Sequence, residues 1–380
     1  MRQSPARSAA AIVGVGTTAY GVHPGQTSYS LGAAALRGAL QDAELGVADI
    51  DGLIVCRIPD YQRFGEINGL NPGLAFGLQG QGRMSGVALE LAVANIAAGY
   101  ARTVALVYGN DGRSAGVKYG GAKDTYGSGG AGQWFPFGMT SPGAAHAMMY
   151  TMHAHRYGTR AQDLGAVAMT FRQHAALNPA AVMRKPFTMD DYLGSRFIAE
   201  PLRLLDYCQI NDGAIALILT AAERAPDRPQ RPVYVRGLGT STVLADSSMP
   251  RDDFWYPALK EAGETSLRVA DLRREDMDGL MIYDNFTPTV LFSLEGFGYC
   301  QPGESGAFVS DGHLALGGRL PANTHGGHLS ESYMQGWNHF VEATRQIRGV
   351  CGDRQIANAR HIHYLCGTPI ASSIIFSDTP

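Results

Sequence analysis

Apolar and polar positions along the chain follow two periods, and each change of period marks an element. The runs Ala11-Ile-Val13 and Val233-Tyr-Val235 read as strands, each entering a glycine turn, Gly14-Val-Gly-Thr-Thr18 and Gly237-Leu-Gly-Thr-Ser241. A helical period follows in both places, in SLGAAALRGALQDAEL (residues 30–45) and in the region DDFWYPALKEAGE (252–264). Next come an acidic turn and a short apolar strand, Ala48-Asp-Ile-Asp-Gly-Leu-Ile-Val55 in the first case and Glu275-Asp-Met-Asp-Gly-Leu-Met-Ile282 in the second. A third pairing lays the helix Leu91–Gly99 on Val341–Gly349, both ending in a glycine of the kind that closes helices. That register sets Arg83 opposite Tyr333.

Three pairs of segments in the same order imply a duplication. Strand and helix alternating in each half predict a parallel or mixed sheet covered by helices, made twice and packed about a pseudo-twofold axis. We place the halves at residues 1–225 and 230–380. The first carries an extra segment, about 111–205, between the strands TVALVYG and AIALILT, opening with the glycine-rich GRSAGVKYGGAKDTYGSGGAGQW (112–134), which is expected to be a mobile loop.

Composition narrows the function. The chain has 380 residues, 45% of them hydrophobic, 48 glycines and a formal charge of −3, which describes an ordinary globular protein without the basic stripe of a nucleic-acid binder. No apolar run reaches the ~20 residues of a membrane span and no signal-peptide core is seen, so a cytoplasmic location is expected. The five cysteines, Cys56, Cys208, Cys300, Cys351 and Cys366, show no CxxC spacing, so neither a disulfide framework nor a zinc ribbon is indicated. The pairs His153-x-His155 and His361-x-His363 lack a third ligand, and no metal is expected.

The duplicated plan, together with QINDGAIALILTAAERA (209–225), YDNFTPTVLFSLEGFGYC (283–300), LPANTHGGHLSESYMQGWNHFVEATRQIRG (320–349) and YLCGTPIASSIIF (364–376), resembles the thiolase superfamily. The resemblance is to the branch of sterol-carrier-protein thiolases and lipid-transfer thiolase-like proteins. It implies an α/β thiolase fold, with two βαβαβαββ halves in a five-layer αβαβα arrangement. Family members that form acyl-enzymes use a cysteine at a helix N-terminus, a histidine from a GHP-like motif, an Asn or His from an NEAF- or HDCF-like motif, and a second cysteine near the C-terminus. Here the nucleophile motif Cys-x-Ser-Gly falls on Arg83-Met-Ser-Gly86, the GHP-type histidine on Tyr333, and the HDCF-type histidine on Tyr283. Cys366 lies near the second cysteine, although Cys-Gly-Thr-Pro departs from the usual glycine run.

Without a thiolate there is no covalent acyl-enzyme. Tyrosines at both histidine positions resemble the thiolase-like aldolases of steroid side-chain degradation, which split a β-hydroxyacyl-CoA by a retro-aldol reaction. The resemblance implies Tyr333 and Tyr283 as acid and base, with Tyr333 favoured as base. It further implies coenzyme A as part of the substrate, no cofactor on this chain, a homodimer, and a DUF35-type partner with an OB fold and a zinc ribbon completing a heterotetramer. A tyrosine base needs a pKa lowered from ~10 by its neighbours; His325, His328 or Arg83 could supply that field, and Arg83 could also contact a CoA phosphate or the enolate, or form a structural salt bridge. His325 and His328, flanking Gly326-Gly327, could also meet a thioester oxygen or a phosphate if the loop leaves its N–H groups free, or be merely solvated. Asn323 fixes the same loop or contacts ligand; Asp284 and Asn285 orient Tyr283 or cap the next turn. Two alternatives stay open: an acyltransferase whose nucleophile is Cys56 or Cys366, and a non-catalytic acyl-CoA-binding subunit.

Overall fold

The structure, a computed structural model, describes residues 7–79, 83–117, 141–244 and 253–380. Most of the glycine-rich stretch 112–134, from 118 onward, lies outside the described residues, as do residues 80–82 of the nucleophile turn. The first half runs β1 (Ala10–Thr17), α1 (Ser28–Ala43), β2 (Gly52–Cys56), α2 (Tyr61–Asn68), β3 (Leu74–Leu78), α3 (Met84–Ala97) and β4 (Thr103–Asn110). The inserted segment contributes α4 (Pro142–Tyr157), α5 (Ala161–Ala176), α6 (Met189–Gly194) and a small hairpin, β5 (Phe197–Ala199) with β6 (Leu202–Arg203), before β7 (Gly213–Ala221) closes the half. The second half comprises β8 (Val233–Thr242), α7 (Tyr256–Ala270), β9 (Gly279–Ile282), α8 (Thr287–Gly296), α9 (Ser305–Ser310), α10 (Gly327–Ser330), α11 (Trp337–Arg348), β10 (His361–Cys366) and β11 (Ile370–Ser377).

The strands form one mixed sheet in the order β3-β2-β4-β7-β1-β8-β11-β10-β9. The halves meet where β1 pairs with β8, at Ala11 opposite Tyr234 and Ile12 opposite Val233. Elsewhere α3 and α11 lie between the two half-sheets, packing Leu89, Val93, Phe340 and Val341 into one core with Leu106, Leu217, Ile362 and Ile374. On the outer faces α1 covers the first half-sheet and α7 with α8 the second, which gives the five layers expected.

The repeated segments do the same physical work twice. Gly14-Val-Gly16 and Gly237-Leu-Gly239 are strand interior, not the turns their composition suggests. A Cβ at Gly16 would run into the Ala35 carbonyl oxygen of α1, and one at Gly239 into the Ala262 carbonyl oxygen of α7. Their absent side chains let each helix rest its backbone on the strand. Likewise Asp51 accepts the N–H groups of Arg102 and Thr103 at 2.9 and 2.7 Å, and Asp278 those of Arg360 and His361 at 2.8 and 2.9 Å. Each carboxylate thereby sets the start of its neighbouring parallel strand. Gly99 and Gly349 close the central helices at φ 77° and 76°.

The halves differ at one place that matters to the site. The third strand of the second half is reduced to a single parallel bridge, Leu280 with Ala322. Pro321 has no N–H to give, and Asn323 turns the chain at φ 47°. The Asn323 side chain then supplies the next rung: Oδ1 accepts from Ile282 N–H at 2.7 Å and Nδ2 donates to the Ile282 carbonyl at 2.8 Å. The chain released by this early stop forms the loop and turn that carry Tyr333.

Because the helix backbone cannot yield to a new methyl group, Gly16→Ala and Gly239→Ala are each expected to cost about 2–3 kcal/mol. Denaturant unfolding should show a lower midpoint with an unchanged slope for both; a loss under ~0.5 kcal/mol at either site would show that the strand–helix contact is slack.

Candidate active site

β9 ends at Ile282, and Asn323 fixes that end, so the next residue, Tyr283, enters the central layer with its N–H bonded to the Leu365 carbonyl at 2.8 Å. Tyr333 comes from the turn before α11 and meets it: the two hydroxyl oxygens lie 2.9 Å apart, with the rings perpendicular. Tyr283 is buried, whereas Tyr333 is partly exposed and lines a cleft with Arg57, Tyr108, Asn110, Ile210 and Gln335. Burial, and then the neighbouring Tyr333 hydroxyl, pushes Tyr283 well above its ordinary value, so Tyr283 keeps its proton.

Two further hydroxyls stand behind the pair. Tyr364, on β10, has its oxygen 3.3 Å from Ser85 Oγ at the start of α3. Gly336, at φ 91°, fills the space among them: a Cβ there would lie 2.5 Å from Ser85 Oγ, 2.6 Å from the Tyr364 oxygen and 3.4 Å from Tyr283 Cδ2. The sequence analysis did not single out Tyr364. Its signal is the two-residue strand period, which puts it on the same face of β10 as Cys366.

His325 and His328 are not at the cleft. Both are fully buried, under α5 and α11, and neither can meet a phosphate or be a solvated loop residue. The N–H groups expected to be free are taken from inside: His328 and Leu329 donate theirs to the Asp284 carboxylate at 2.8 and 3.2 Å. Gly326 and Gly327 adopt φ 103° and 63°, and a Cβ at Gly327 would collide with that carboxylate. The glycine pair therefore admits Asp284 rather than ligand. Asn285 caps the turn into α8, accepting from Thr289 Oγ1 at 2.8 Å.

Around Asp284 a buried chain extends. His339 Nε2 lies 3.2 Å from Asp284 Oδ1, His339 Nδ1 is 2.8 Å from His325 Nε2, and His325 Nε2 is 3.7 Å from Glu331. Burial holds His325 and His328 well below their ordinary value, so neither brings a positive charge to the tyrosines. Ligand atoms of Asp284, His328 and His339 gather within 4.8 Å. Yet Gly336 N–H donates to His328 Nε2 at 2.8 Å, which leaves the proton of the neutral ring on Nδ1, the nitrogen facing Asp284. The cluster as folded thus turns an N–H of His328 toward Asp284 in place of a lone pair, a poor metal set. Of the sequence pairs, His153 instead binds Glu295 at 3.0 Å, and His363 lies between Tyr299 and Ser373 at 2.6 Å each.

Arg83 stands at the N-terminal end of α3, where it draws the Cys366 and His146 pKa values down as a minor influence on each. Cys366 is buried beside Tyr364 and pushed up to about 11, chiefly by burial; Cys56 is buried and pushed up to about 12. Burial raises Cys208, Cys300 and Cys351 as well. No cysteine thus sits where a reactive thiolate would be favoured.

A thiolase fold with Arg83 in the nucleophile place and two hydrogen-bonded tyrosines in the histidine places lacks the cysteine and histidines with which family members form an acyl-enzyme. Residues 241–373 match the family described as Thiolase C-terminal domain-like. The chain is 35% identical to the steroid side-chain-cleaving aldolase of Thermomonospora curvata, over 96% of each protein. It is 34% identical to the 17-hydroxy-3-oxo-4-pregnene-20-carboxyl-CoA lyase of Mycobacterium tuberculosis, over 96% of this chain and 97% of that one. The solved Ltp2-ChsH2(DUF35) aldolase superposes with a TM-score of 0.90 at 32% identity, covering 98% of this chain and 99% of that one. The chain belongs to the thiolase superfamily, in its aldolase branch, and is a carbon–carbon lyase. No helix among the described residues is long and apolar enough to cross a membrane.

Two measurements follow from these buried groups. Burial pushes Glu331 from 4.5 up to about 7, against the donation it receives from Asn338 and Asn178. Between those values the folded chain holds a proton that the unfolded chain has released, so stability falls as pH rises, by at most about 1.4 kcal/mol per pH unit. Glu331→Gln should remove that component, and denaturation across this range should show a flatter pH dependence; an unchanged slope would assign the effect elsewhere. Iodoacetamide near neutral pH should leave turnover intact, whereas rapid inactivation would restore the thiolate alternative.

Proposed function

We propose that this lyase cleaves a bulky, steroid-like β-hydroxyacyl-CoA by a retro-aldol reaction, releasing a ketone or aldehyde and a short acyl-CoA. The observation that carries the reading is the contact between the Tyr283 and Tyr333 hydroxyls at the inner end of the cleft. Tyr333, the more exposed of the two, is the base. It takes the β-hydroxyl proton, the oxygen lone pair forms the carbonyl, the Cα–Cβ bond breaks, and its electrons pass into the enolate of the thioester. Protonation of Cα, by the proton Tyr333 has taken, completes the balance.

Magnitudes support this division of roles. A hydrogen bond donated to a charged group contributes ~1.5–3 kcal/mol, and ~1.4 kcal/mol is one pKa unit. In this reading Tyr283, held protonated above its ordinary value, donates to Tyr333 and favours its phenolate as base. In this reading Arg83, with the N-terminal end of α3, stabilises the enolate oxygen, a role that the buried His325 and His328 cannot fill. Gly326, Gly327 and Asn323 support the loop from within, and Cys366 supports the wall behind Tyr283 as a neutral thiol.

The substrate class rests on the two full-length relatives, whose names specify steroid side chains and a pregnene carboxyl-CoA. A DUF35-type partner rests on the Ltp2-ChsH2(DUF35) aldolase. We extend it to a heterotetramer built on a homodimer of this chain.

The test is co-expression with a DUF35-type protein and mass spectrometry of a 17-hydroxy steroid side-chain CoA ester. Tyr333→Phe and Tyr283→Phe should each lower kcat by about 10²–10⁴ with KM changed only slightly. Wild-type turnover in both variants would sink the mechanism, and acyl-CoA binding without carbonyl release by the native complex would favour a binding subunit.

A further inference from the structure

His328 is a buried titratable group that the proposed reaction does not use, yet it touches every part of the site. Its ring meets Tyr283 and Tyr333 edge-on, with centroids 4.8 and 5.0 Å away. Its other face stacks on His339 at 4.4 Å. Nε2 takes the N–H of Gly336, the residue wedged among Ser85, Tyr364 and Tyr283. Nδ1 faces Asp284 Oδ1 at 3.5 Å, and Asp284 in turn holds the His328 backbone N–H.

We propose that His328 is the positioning residue of the tyrosine pair, held by Gly336 as the neutral Nδ1–H tautomer. This rests on the tyrosine mechanism above and deepens it. A backbone N–H can only donate, so Nε2 must present its lone pair and the proton sits on the nitrogen that faces the carboxylate. Held at Nε2 by Gly336 and stacked on His339, the ring is fixed in place, and its packing fixes the approach of the two tyrosine rings and hence of their hydroxyls. His328 exchanges no proton with substrate. It acts by keeping one short contact in place, where a shift of about 1 Å can cost on the order of 10²-fold in rate.

The experiment is a double-variant cycle on the co-expressed complex, with kcat and KM read separately. His328→Phe keeps a ring but loses the acceptor for Gly336 N–H; its kcat should fall by about 10–10²-fold with KM within about threefold. Combined with Tyr283→Phe it should fall no further than Tyr283→Phe alone, because groups that act as one unit are not additive. Additive losses, or an unchanged kcat in His328→Phe, overturn the proposal. Asp284→Asn, the second variant, should show the same non-additivity. Should neither variant fold, the wild-type complex still decides, through the nitrogen-15 and ring-proton correlations of labelled histidine, assigned by contacts of His328 with the two tyrosine rings. A protonated Nδ1 beside an unprotonated Nε2 supports it, and the opposite tautomer or an imidazolium overturns it. Tyr283→Phe turning over like wild type would instead bring down the tyrosine mechanism itself, a separate outcome.

Discussion

A single fully buried carboxylate, Asp284, sets the constraint from which the rest of the site follows. An uncompensated charge in such a place costs several kcal/mol, so the chain must bring donors to it. It does so with the His328 and Leu329 N–H groups and with His339. Those donors can reach the carboxylate only if the chain turns sharply at Gly326 and Gly327, where a Cβ would meet Ala175 or the carboxylate itself. The turn fixes where His328 lies, His328 takes Gly336 N–H, and Gly336 leaves just enough room for Tyr283, Tyr364 and Ser85. Chemistry at the cleft is thus held from behind by charge compensation in the core.

The buried polar face of α11 extends the same logic. Asn338, His339, Glu342, Thr344 and Gln346 are all buried on one helix, each with a partner: Glu342 is gripped by Arg354 at 3.0 and 3.1 Å and by Thr324 at 2.8 Å. A helix lying between two sheets has no solvent face on which to place such groups. Their network specifies one register of α11 against the loop 323–336, and that register brings Tyr333 to Tyr283. The bonds it makes tie the loop to the helix, although Asn338 Oδ1 and Ser332 Oγ find no partner within it among the described residues.

The fold was legible in the sequence because duplication repeats physical needs as well as letters. Asp51 and Asp278 serve equivalent strand ends, and Gly16 and Gly239 equivalent helix contacts, so the matching segments pointed to matching structure. The tyrosine pair was legible only through register and family motif, since nothing local to Tyr283 announces Tyr333 fifty residues on. The histidines were misread for a physical reason. THGGHLSESY is polar and glycine-rich, the composition of a solvated loop, but α5 and α11 cover it, and Asn178 from beyond α5 donates to the His325 carbonyl at 2.9 Å. Burial imposed by segments over a hundred residues away leaves no mark on local hydropathy. The lost third strand was similarly hidden, in the pairing of Pro321 with a left-handed Asn323.

The exchange of cysteine for Arg83 need not dismantle the electrostatics of the thiolase site. A helix N-terminus carries roughly half a positive charge, and in the family that end favours a thiolate. In α3 no side chain caps that end, and Arg83 adds a full charge at the same spot. The retro-aldol step creates its negative charge on the thioester oxygen, so a field that once stabilised a nucleophile's sulfur is equally suited to an enolate. Under the proposed mechanism what changes is the proton chemistry, and there two phenols differ from two imidazoles in how they answer burial. Burial drives an imidazole toward neutrality and makes it a weak source of charge, as His325 and His328 show. It also holds Tyr283 protonated, as the proposed donor to Tyr333 requires.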